Sequence, residues 1–266
     1  MNTEIKNAIQ AADSEAQYDE SAKRLLAQKY VLAHILVRTV EEFQGMEIEK
    51  VVSLIEGDPY ISKIPVASGL TNKDRNEEGK RIVGLNTEAG ERNEGLVRFD
   101  IIFYVRMRNG LAQMIINVEA QKDEPGSYQI LNRAIFYVSR LISSQKERDF
   151  VKSNYNDIKT VYSIWVCMNM PENSMCHIHL TREDLLGKHN WKGNLNLVNI
   201  VMIGLTNALP ESHNEYVLHR LLCAMFSNEL SQQQKMKIME QEYHIPMEQN
   251  FKEEVSIMCN LSLIHI

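Results

Sequence analysis

Two largely apolar stretches meet across a single Asn109-Gly110 dipeptide, and no other feature of the chain restricts its fold so tightly. Both central positions of a two-residue hairpin turn need positive φ, which Asn and Gly tolerate, so the dipeptide predicts antiparallel strands on either side. Such a turn also fixes register: Arg108 faces Leu111, and every further pair has residue numbers with the same sum. Phe99, Ile101, Phe103 and Val105 then lie opposite Ala120, Val118, Ile116 and Met114, an apolar face that must be the core side. The more polar face sets Asp100 directly opposite Glu119, and Arg98 opposite Gln121.

Facing carboxylates repel unless a proton or cation lies between them. A hard divalent cation is the natural candidate, since Mg²⁺ commonly takes one or two carboxylates together with phosphate oxygens. The alternative is a solvated sheet edge where both acids point into water, and a bulge would separate them altogether.

The surrounding pattern is mixed. Residues 19–43 carry apolar side chains at helical spacing and read as one long amphipathic helix. A short helix over about 47–55 is expected to end at Gly57-Asp58-Pro59, and residues 65–95 read as a long loop. A helix follows the hairpin over about 127–145, and 160–167 and 195–205 are β-rich apolar stretches suited to buried strands. After Pro210 three helices are expected, over about 215–226, 231–243 and 247–258. Together these predict a mixed α/β fold. On the helix after the hairpin, Gln129, Arg133 and Tyr137 stand at i, i+4 and i+8 and share a face. Facing the carboxylates, Arg133 could grip a phosphate through its fork of N–H groups, and Tyr137 could orient water. As a purely structural face, Arg133 would snorkel and Tyr137 would pack.

Composition removes other classes. No apolar run among the 266 residues reaches the ~20 needed for a membrane span. The amino terminus lacks the order of a signal peptide, so a soluble cytoplasmic protein is expected. The four cysteines have no framework spacing, which favours reduced thiols. Cys176-His177-Ile178-His179, with Cys167 nearby, offers zinc ligand types, but no second pair stands opposite, so a plain loop or strand edge is expected there. A net charge of −6 argues against a protein that coats nucleic acid, yet a nuclease site built on carboxylates lowers net charge itself.

Asp100, then Glu119-Ala120-Gln121 at a strand end, then Arg133 and Tyr137 on the next helix resemble the PD-(D/E)XK nuclease family transposases, the Rpn-like recombination-promoting nucleases. Further segments carry the likeness, among them Ile116-Asn117-Val118-Glu119-Ala120-Gln121-Lys122, Ile135-Phe136-Tyr137 and Val161-Tyr162-Ser163-Ile164-Trp165-Val166-Cys167. It runs from Tyr18 to Asn260. The resemblance implies a restriction-endonuclease-like fold, a mixed central sheet flanked by helices, with additional helices at the C-terminal end. It implies a nuclease-like domain over 1–205 and a helical extension over 206–260.

It also implies metal-dependent cleavage of DNA phosphodiesters in transposition or recombination. Asp100 and Glu119 would hold Mg²⁺ or Mn²⁺, and Gln121 would orient the attacking water. Gln121 stands where the wider superfamily has lysine, and a neutral amide cannot carry charge to the developing phosphorane. Strand alternation sends the neighbouring Lys122 to the other face. An acid from the first helix often completes such sites, and Glu41 and Glu42 are the candidates. A DNA-binding or interaction module that has lost catalysis is the alternative function, and self-association through the trailing helices stays open. Residues 261–266, Leu-Ser-Leu-Ile-His-Ile, read as a translated sequencing adapter, so the gene is expected to continue past them.

Overall fold

The computed structural model describes residues 17–61, 88–90, 96–98, 100–107, 113–121, 126–146 and 148–263. The Asn109-Gly110 turn, Phe99, Lys122 and most of the loop expected over 65–95 lie outside the described residues.

The hairpin strands are β4 (Ile101–Arg106) and β5 (Gln113–Gln121). They pair antiparallel from Ile101↔Val118 to Arg106↔Gln113, the register that a two-residue turn at 109–110 requires. Ile101, Phe103 and Val105 are buried with Met114, Ile116 and Val118 in the larger core. The opposite face departs from the sequence expectation. Ile102, Tyr104 and Ile115 are buried there in a second core, because the helix that follows β5 covers them.

That helix, α4 (Ile130–Ser143), buries Ala134, Tyr137, Val138 and Leu141. It is the crossover between β5 and the parallel strand β6 (Val161–Cys167), since parallel neighbours cannot be joined by a tight turn. Every residue of β6 is buried, as a strand covered on both faces demands. β8 (Val198–Gly204) continues the parallel pairing, and the exposed edge strand β7 (Ser174–His179) adds antiparallel to it. At the other edge, β1 (Ile55–Ile61) lies antiparallel to β4 and completes a six-stranded mixed sheet, in order β1-β4-β5-β6-β8-β7. A separate pair, β2 (Glu88–Gly90) with β3 (Leu96–Arg98), stands outside it.

The short helix expected over about 47–55 is α3 (Ile48–Leu54) and ends before Gly57-Asp58-Pro59, and the strand that follows was not anticipated: Gly57-Asp58-Pro59 forms an irregularity inside it. Glu56 pairs with Tyr104 and Tyr60 with Ile102, so β1 uses four residue steps where β4 uses two. Gly57 takes φ +61°, and an edge strand tolerates a proline that cannot donate.

The long first helix is also divided. A helix α1 over 17–26 ends in a turn at Ala27, Gln28 is extended, and α2 (Lys29–Thr39) begins anew. A 3₁₀ turn (Glu41–Phe43) and α3 (Ile48–Leu54) follow. Neither Gly nor Pro marks the break; both halves keep their apolar sides in the one core, with Leu25 and Leu26 beside Val31, Leu32, Ile35 and Leu36. After β8 come α5 (Val217–Phe226), α6 (Gln232–Gln241) and α7 (Gln249–Leu263). Leu221, Leu222, Met239, Phe251 and Val255 from these helices belong to the same buried cluster as β4, β5 and β6. No helix among the described residues is long and apolar enough to cross a membrane.

Candidate metal and phosphate site

Ladder pairing of the hairpin ends at Ile101↔Val118, and the next position holds the two acids. Asp100 N–H donates to Glu119 Oε1 at 3.0 Å, and Ala120 N–H donates to Asp100 Oδ2 at 2.9 Å. Each carboxylate is therefore pinned through one oxygen by backbone where the strand opens. The place is the carboxyl end of the parallel strands β5 and β6, where open α/β sheets commonly bind ligands.

The pair is not a solvated edge. Glu119 is 1% exposed and Asp100 9%. Two cations answer the charge. Lys23 of α1 places Nζ 2.9 Å from Asp100 Oδ1 and 2.6 Å from Asp19 Oδ2. Arg133 of α4 brings Nη2 to 3.9 Å from Glu119 Oε2. Arg133 itself is held on three sides: Nη2 donates to Tyr137 Oη at 2.8 Å, and Nη1 to Tyr128 Oη at 3.0 Å and Gln121 Oε1 at 3.3 Å. Its guanidinium also lies over the rings of Tyr137 and Trp165, a cation–π arrangement that fixes its plane.

The electrostatics follow from burial and these partners. Burial pushes the Asp100 carboxyl above its ordinary range, although Lys23 and the Ala120 N–H both favour its charged form. Burial acts to lower Lys23, but the charges and hydrogen bonds of Asp100 and Asp19 outweigh it and hold the ammonium above its usual value. Arg133 is likewise held up against burial by Tyr137, Glu119 and Tyr128. Burial and the nearby Glu119 raise the Tyr137 phenol, so it stays protonated at neutral pH. Counting Asp19, Asp100 and Glu119 against Lys23 and Arg133, the cluster holds three carboxylates and two cations. Asp100 and Glu119 are the oxygen donors that would hold a hard divalent cation, which takes one or two protein carboxylates.

Asp100, Glu119, Gln121, Arg133 and Tyr137 thus come together as their spacing suggested. Gln129 does not join them: it is the extended residue before α4 and is exposed. Glu41 and Glu42 lie beside Tyr162, which belongs to the larger core on the opposite side of the sheet from α4. The first helix brings Lys23 to Asp100, and Asp19 holds the same ammonium. Sequence reading missed both, and the signal was an i, i+4 acid–base pair at the start of that helix.

The zinc ligand types also separate. His177 and His179 sit together on edge strand β7 with ring centres 4.9 Å apart, while alternation turns Cys176 to the other face. Cys167 is buried in β6. Among the described residues no group of three or more His, Cys, Asp or Glu side chains is arranged to hold a metal ion. Comparison with protein-family models, with curated proteins and with solved structures finds no match for this chain.

Proposed function

We propose that this chain is a divalent-metal-dependent nuclease that hydrolyses DNA phosphodiester bonds on a restriction-endonuclease-like fold. One observation carries the reading: Asp100 and Glu119 converge at the open end of β4 and β5, with Gln121 and Arg133 beside them. Asp100 and Glu119 would hold Mg²⁺ or Mn²⁺. When bound, that ion supplies Lewis-acid activation of water and neutralises charge on the phosphate. The chain's own residues do the rest. The Gln121 amide would orient a water for in-line attack, and Arg133, held by Tyr128 and Tyr137, would present its guanidinium to the phosphate oxygens. Backbone N–H groups hold the two acids in position before substrate arrives, which lowers the cost of organising the site.

A second reading is supported by the two protein cations already at the carboxylates: a DNA-binding module on this fold that no longer cleaves. A nuclease assay on duplex DNA with Mg²⁺ separates the two. Asp100→Ala and Glu119→Ala should each remove nearly all cleavage, and EDTA should do the same. Full activity in either variant, or in wild type with EDTA, rejects the assignment; DNA binding without cleavage by the wild type selects the second reading.

A further inference from the structure

A cavity of about 70 Å³ opens beside the carboxylate pair, at the carboxyl ends of β6 and β8. Two bonds carry the sheet past its last paired residues there: Met168 N–H donates to the Gln121 carbonyl and Leu205 N–H to the Cys167 carbonyl, each at 2.8 Å. Met168 and Leu205 line the cavity, which therefore begins about one strand spacing, ~5 Å, from the backbone of Gln121. Tyr18 of α1 lines it too, next in the chain to the Asp19 that holds Lys23.

The lining divides by chemistry. Met168, Leu205, Tyr18 and Phe226 form a buried apolar and aromatic floor, while the amides of Asn169 and Asn228 stand exposed at the rim. No charged side chain is among the described residues that line it. An ion entering would lose hydration without meeting a countercharge, so the cavity suits a neutral group. Each carboxamide offers a donor and an acceptor together, the complement of the edge of a nucleobase, and aromatic surface below favours a planar ring. The volume is about half of the ~150 Å³ that takes a whole benzene ring, so one edge of a ring enters and the sugar stays outside.

We infer that this cavity receives the hydrogen-bonding edge of an unpaired nucleobase, in the strand whose phosphate lies at the carboxylate pair. The occupant rests on the DNA reading of that neighbouring site. A base inside a duplex has the same edge engaged by its partner, so it must first leave the stack, and leaving costs least where the pair is mismatched. The protein should then favour DNA that holds an unpaired base.

Fluorescence anisotropy of the full chain with two labelled duplexes tests this, one fully paired and one with a single central mismatch, first in EDTA and then in Ca²⁺. Wild type is compared with Asn169→Gly and Asn228→Ala, each checked for folding by circular dichroism. Asn169 has φ +55°, which glycine adopts freely, so Asn169→Gly removes the amide without straining the backbone, and the exposed Asn228 guards against a failure of that variant to fold. Wild type should bind the mismatched duplex about tenfold more tightly than the paired one. Both variants should lose most of that preference and keep their affinity for the paired duplex. Equal affinity of wild type for the two duplexes overturns the base pocket alone, as does a preference that both variants retain in full. Absence of binding to either duplex in either buffer overturns the DNA reading and the inference together.

Discussion

Single side chains in this protein are tuned by what buries them, and His34 shows it away from the candidate site. It is buried on α2, where its Nε2–H donates to the Tyr243 carbonyl at 2.9 Å and its ring meets the Tyr243 ring edge-on. Burial lowers its pKa to about 4; the Tyr243 carbonyl opposes this and Arg38 reinforces it. The unfolded chain then binds a proton that the folded chain refuses between the usual value near 6.5 and about 4. Stability from this group is complete above pH ~6.5, falls as pH drops through that window, and is level below it. The shift corresponds to on the order of 3 kcal/mol. His34→Gln keeps a donor for the carbonyl and removes the titration. Urea unfolding at pH 7 and pH 4 should show the wild type losing more stability than the variant by about that amount. Equal losses would exclude His34 as the cause.

At the scale of elements, α4 links the two cores to the site. Its length lets it cross from β5 to β6, its inner face closes the second core, and its first turns carry Arg133 and Tyr137 to the carboxylates. The N-terminus of α6 is closed by side chains. Ser231 Oγ accepts from Gln234 N–H, and the Gln234 side chain accepts in return from Ser231 N–H, a complete capping box. Ser231→Ala should cost about 1 kcal/mol, read as a lower urea midpoint with unchanged slope. A neutral result would mean that packing of Met239 and the buried Lys235, whose ammonium donates to the Met225 carbonyl, fixes α6 by itself.

For the whole molecule, the C-terminal helices are part of the fold that carries the site. α5, α6 and α7 place Leu221, Leu222, Met239, Phe251 and Val255 in the core that also receives Ile101, Ile116 and Ile164 from the sheet. They further hold α1 and α2, since Glu254 Oε1 accepts from Arg24 Nη1 at 2.9 Å and Tyr243 accepts from His34. A chain ending at Leu205 would expose that side of the core to water, and losses of several buried large side chains exceed the usual stability of a domain. Such a truncation should show no cooperative thermal transition and should bind hydrophobic dye. A sharp melt from the 1–205 fragment would mean that the helices are an independent extension.

What the sequence determined by itself was local. The Asn109-Gly110 dipeptide fixed the sum rule that pairs Ile101 with Val118, and from that rule alone Asp100 and Glu119 had to be neighbours, because turn conformation and two-residue alternation act within a few residues. Helical spacing likewise set Arg133 and Tyr137 on one face. The tertiary structure decided the rest. No periodicity announces that α1 breaks from α2 and brings Lys23 to Asp100, or that Glu41 and Glu42 come to lie beside Tyr162. Nor does a local signal carry the chain after the end of α3 through Gly57-Asp58-Pro59 as an irregular edge strand, since the pairing with β4 supplies the reason. The supposedly polar face of the hairpin became a core for the same cause: α4, set by the crossover to β6, lies across it. Contacts between residues distant in the chain depend on how layers pack to bury apolar surface, and that is a property of the assembled fold rather than of any short segment.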